Sequence, residues 1–66
     1  MSPIEVLDAL AADGWLRISP RTVRHSAVKV ELLDSGEILV GVTGVLVRTE
    51  TALTVARALS SALSLA

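Results

Sequence analysis

Few side chains in this 66-residue sequence are able to do chemistry, and they stand far apart. There is one histidine, His25, and no cysteine, so a histidine-based metal site or a thiol nucleophile has nothing to work with. Ser26 follows His25 directly, but neighbours on an extended segment point to opposite sides and cannot act as nucleophile and base. Glu5 and Asp8 stand three apart, a spacing that a solvated helix face explains without catalysis. Gly41-Val42-Thr43-Gly44 lacks the glycine spacing and the lysine of a phosphate-cradling loop, and its glycines fit a bulge or a close backbone approach. These residues predict no catalysis, and they call for no cofactor, metal or small-molecule substrate.

One charge feature remains. Between Gly14 and Val30 there is no acid, while Arg17, Arg21, Arg24, His25 and Lys29 all fall there, although the whole chain carries a formal charge of −1. A segregated basic segment of this kind can meet anions, and nucleic acid is the macromolecule it would suit; four full charges on phosphates predict a salt slope of roughly −3 to −4. The same residues also suit the ordinary exposed side of a strand and loop. Trp15, the lone aromatic residue, is placed to close a helix end rather than to stack on a base.

The elements that must position these groups follow from capping and periodicity. Ser2-Pro3-Ile4-Glu5 has the form of a capping box with proline at the first helical position, so a helix is expected from Pro3. Ile4, Leu7, Leu10 and Ala11 form its apolar stripe, and Gly14 ends it with Trp15 folded back on Leu10. Trp15 to Ile18 alternates as a short strand, and Arg21 to Ser26 reads as a polar, basic connection. Asp34-Ser35-Gly36 is a three-residue hairpin signal that pairs Leu33 with Glu37, Leu32 with Ile38, Val30 with Val40 and Val28 with Val42. That register collects six branched residues on one face. The opposite face holds Lys29, Glu31 and Glu37, and becomes apolar through Leu39, Val45 and Val47. A second helix, capped by Thr49 and opened by Glu50, carries a wide apolar arc that includes Ala52, Val55, Ala56, Leu59, Ala62 and Leu63, broadened by Ala58 and Leu65.

The expected architecture is α+β: one domain over residues 1–66, in the order α-β-β-β-α, with a small antiparallel sheet and both helices on one face. The hydrophobic set takes 52% of the chain before its four glycines are counted, whereas soluble domains reach about 45–50% with glycine included. So small a fold has little interior, and the excess points to a surface that associates, as a homo-oligomer or with a protein partner. Val45, Val47, Ala58, Ala62 and Leu65 are the candidates for that interface. The longest apolar stretch, residues 38–47, is too short and too interrupted to span a bilayer. The opening residues lack the basic start of a secretory signal, so a cytoplasmic protein is expected.

Helix, three strands and helix in this length resembles the double-stranded RNA-binding domain, with Arg24 and His25 in the loop that this family uses on duplex RNA. At the opening of the last helix, where the family carries lysines, this chain reads Thr49-Glu50-Thr51. The resemblance therefore implies the fold, and a role like that of family relatives serving mainly for dimerisation. Separately, Ser19-Pro20-Arg21-Thr22-Val23-Arg24 is similar to the start of the recognition helix in helix-turn-helix regulators of the LuxR and excisionase kinds, which would imply a helix from Thr22 and a DNA-binding regulator.

Overall fold

Ser2 starts the first helix as its sequence dictates. In the computed structural model, which describes residues 2–64, the Glu5 N–H donates to Ser2 Oγ (3.4 Å) and the Ser2 N–H donates to Glu5 Oε1 (2.9 Å). Helix α1 spans Pro3–Ala12. The Ser2 backbone and hydroxyl hydrogen bonds hold the Glu5 carboxyl below the usual glutamate range, because they favour its charged form. At the other end the Gly14 N–H donates to the Ala11 carbonyl (3.1 Å) and the Trp15 N–H to the Leu10 carbonyl (3.0 Å), the paired bonds of a Schellman motif. Trp15 is buried as expected. The buried stripe is Val6, Leu7 and Leu10, and Ile4 is exposed. The helix is thus rotated from the expected Ile4, Leu7, Leu10 and Ala11 face, since Val6 beside Leu10 buries more apolar surface than Ala11 does.

Five strands follow, β1 Leu16–Ser19, β2 Thr22–His25, β3 Val28–Leu32, β4 Ile38–Gly41 and β5 Val45–Val47, before helix α2 at Thr49–Ser64. They form one antiparallel sheet in chain order. The class is α+β as read from the sequence, with five strands in place of three. The expected connection over residues 21–26 is a strand in its middle four residues, Thr22–His25, with Arg21 and Ser26 in the turns at either end. Thr22 to His25 ladder on β1 and β3, and Val23, paired with Val30, is fully buried. The strand escaped the periodicity because Val23 is the one apolar residue in it. This extended segment also overturns the recognition-helix likeness of residues 19–24.

The β3–β4 hairpin has the expected register: Leu32 opposes Ile38, Val30 opposes Val40, and the Leu33 N–H donates to the Glu37 carbonyl (2.9 Å). The pairing does not reach Val28 and Val42. At Gly41 the chain turns back, with Gly41 at φ 123° and Gly44 at φ 91°, and Val42 sits in the turn, 66% exposed. A Cβ on Gly44 would stand 3.2 Å from Leu39 Cγ, so position 44 disfavours a side chain on two counts. The turn resets the alternation. Val45 and Val47 pair with Val40 and Ile38, which puts them on the core side of the sheet and not on the opposite face.

Both helices cover that core side. Helix α1 lies on β2 and β3, α2 lies on β3 and β4, and the helices touch each other. Val23, Val28, Val30, Ile38 and Val40 meet Val6, Leu7 and Leu10 from α1 and Ala52 and Ala56 from α2. Helix α2 opens on the Arg48 carbonyl, which accepts from the Ala52 N–H (2.9 Å) and the Thr51 hydroxyl (3.1 Å). Its cap is therefore Arg48, one residue before the expected Thr49.

Candidate functional site

Alternation along β2 and β3 decides where the five basic-segment residues go. Arg24 and Lys29 oppose each other in the ladder, on the face without helices, and make no ion pair among the described residues. Glu31 follows Lys29 on the same face, two residues along the strand. His25 takes the other face, where its ring lies 5.4 Å from the Trp15 ring and its Nδ1 lies 2.7 Å from Ser60 Oγ. Arg17 also turns to the helix side, donating from Nη1 to Asp8 Oδ1 (2.7 Å) and from Nη2 to the Pro20 carbonyl (3.2 Å). Arg21, in the β1–β2 turn, pairs with the Asp34 carboxylate. The five do not form one surface: three are occupied by protein partners, and Arg24 with Lys29 is what remains for an anion.

The contact between Ser60 and His25 was not visible in the sequence, because 35 residues separate them. Its hydroxyl-to-imidazole geometry is that of a nucleophile and base, but the ring is held against Trp15, and neither residue lines the clefts described next. One cleft, about 440 Å³, is bounded by Pro20, Arg21, Glu31 and Leu33. A second, about 370 Å³, lies between the β3–β4 turn and the start of α2. Among the described residues no three of His, Cys, Asp and Glu gather as metal ligands.

The apolar candidates have a more coherent fate. Val45 is 60% exposed on β5, Val47 is half-buried against the core, and Ala58 and Ala62 are exposed on α2. Leu65 lies outside the described residues. Four further residues join them: Val42 in the β4–β5 turn, Leu46 on β5 (53% exposed), and Leu59 and Leu63 on α2. The two leucines belonged to the expected core-facing arc. Helix α2 has 16 residues, about 24 Å at 1.5 Å each, while the four residues of β4 span only about 13 Å. The helix therefore runs past the strand it packs on. Leu59 comes down over the turn, with its Cδ1 3.8 Å from where a Cβ on Gly41 would stand, and Leu63 lies one turn beyond.

The apolar rim thus formed runs from the exposed strand β5 around the β4–β5 turn to the overhanging end of α2. No described helix is long and apolar enough to cross a membrane. Comparison of the chain with protein-family models, curated proteins and solved structures finds no match.

Proposed function

We propose that this chain is a non-enzymatic interaction module that associates with itself and, through the assembled surface, binds another macromolecule, in the first place a protein. The observation that supports this reading is the rim of Val42, Val45, Leu46, Leu59 and Leu63, branched side chains left in water around one end of the sheet. A domain of this size has little interior to spare and gains most from burying such a rim against a second molecule. The cytoplasm is the compartment this reading assumes.

The test is light-scattering mass at micromolar concentration, with and without a short duplex. The expected result is a homodimer or larger oligomer whose mass persists in moderate salt, since apolar burial drives it. A monomeric mass throughout would overturn it. Submicromolar, salt-dependent duplex binding would favour the other use of the surface, nucleic-acid recognition through Arg24 and Lys29, over a protein partner. The expected duplex affinity is no better than the weak non-specific level of about 10⁻⁴ M.

A further inference from the structure

The backbone of β5 indicates how a second molecule would attach. The Leu33 N–H donates to the Glu37 carbonyl, and hydrogen-bonded pairs recur at every second position of an antiparallel ladder, so Glu31 and Leu39 form the next such pair along the register. Leu39 thus spends both its backbone groups on β3. Ile38 and Val40 bond to β5, at Val47 and Val45. Leu46, opposite Leu39, therefore turns its N–H and C=O away from the sheet, towards the free edge.

Resting on the self-association proposed above, we infer that a second copy of this chain pairs with β5 antiparallel, about a two-fold axis at Leu46, joining two five-stranded sheets into one of ten. The Leu46 N–H of each copy donates to the Leu46 carbonyl of the other. The strand suits its own image: Val45-Leu46-Val47 reads the same in both directions, so Val45 of one copy meets Val47 of the other on the helix side while the two Leu46 side chains meet on the open side. No like charges are brought face to face, because β5 has none, and Arg48 falls opposite Gly44, which has no side chain to obstruct it. The pairing also completes the core. Val23, Val30, Val40 and Val45 form one continuous row across the sheet, of which only Val45 is exposed. The axis stands perpendicular to the sheet, so both α2 helices lie on the same side of the joined sheet.

The absence of cysteine from the chain gives a direct test. Directly opposed residues of a hydrogen-bonded pair have Cα atoms about 5.5 Å apart, inside the range a disulfide spans. Leu46→Cys, mildly oxidised at micromolar concentration, is expected to run as a covalent dimer on a non-reducing gel, while Leu16→Cys on the opposite edge is expected to stay single. Both positions are exposed. As a second reading of the same edge, Leu46→Lys is expected to weaken dimerisation at least tenfold, and Leu16→Lys to leave it unchanged. A protein that is dimeric by light scattering but does not cross-link through position 46, or cross-links equally at 16, would overturn the β5 pairing and leave self-association standing. A wild-type monomer across the concentration range would overturn both.

Discussion

Both edges of the sheet carry exposed branched side chains, Leu16 and Ile18 on β1 and Val45 and Leu46 on β5, and each leaves backbone groups with no strand beside them. They differ in what surrounds those groups. On β1 the register slips between Arg17 and Ser19, leaving Ile18 as an extra residue, Arg17 is tied down to Asp8, and Pro20 follows the strand. A bulge, a charge and a proline are the features that keep another strand from joining. On β5 three apolar residues run in regular register with none of them. Exposed apolar area is similar on the two edges, so the backbone beside it is what separates an end of the sheet from a place where the sheet can continue.

The largest expected effect removes the ground on which both edges stand. Val30 is fully buried between Val23 and Val40, and Val30→Asp places an unpaired charge there at a cost beyond the few kcal/mol a small domain has in reserve. Circular dichroism should then show no cooperative melt, and a wild-type-like transition would refute the face assignment. A smaller effect separates the edges. Gly44→Val combines a left-handed backbone with pressure on Leu39, costing about 1–3 kcal/mol. Amide exchange should quicken along residues 45–47 before it does along 16–19; equal loss of protection would mean that β5 does not depend on this turn. The smallest tests the guard on β1. Arg17→Ala removes an exposed ion pair worth about 1 kcal/mol or less and should leave the oligomeric mass unchanged, because the bulge at Ile18 remains. A rise in mass would show that the charge and not the bulge blocks that edge.

What could be read in the sequence was whatever local chemistry decides alone. The capping box, the Schellman end and the Asp34-Ser35-Gly36 hairpin each depend on residues within a few positions, and each formed as expected. Strand β2 was hidden because burial of Val23 depends on strands to either side. Strand β5 was hidden because Val42 and Thr43 continue the alternation that Gly41 and Gly44 interrupt. The basic segment looked like one site because its members are close in sequence, yet Arg24 and His25, adjacent in a strand, lie on opposite faces. Leu59 and Leu63 kept perfect helical spacing. Periodicity reports which side of a helix is apolar, but it carries no measure of how long the strand beneath it is.

The order of strands in space is their order in the chain, and this has a kinetic consequence. Each strand pairing closes a short loop and costs little chain entropy, so the meander can assemble hairpin by hairpin at low contact order. The roof is different, because α1 and α2 flank the whole run of strands, and the Arg57 bond to Asp13 joins residues 44 positions apart. Of these elements α2 is the last to be synthesised. Until it docks, Val28, Ile38 and Val40 lie under an incomplete roof, and the interval in which this sheet is most prone to pair wrongly is set by the arrival of one helix.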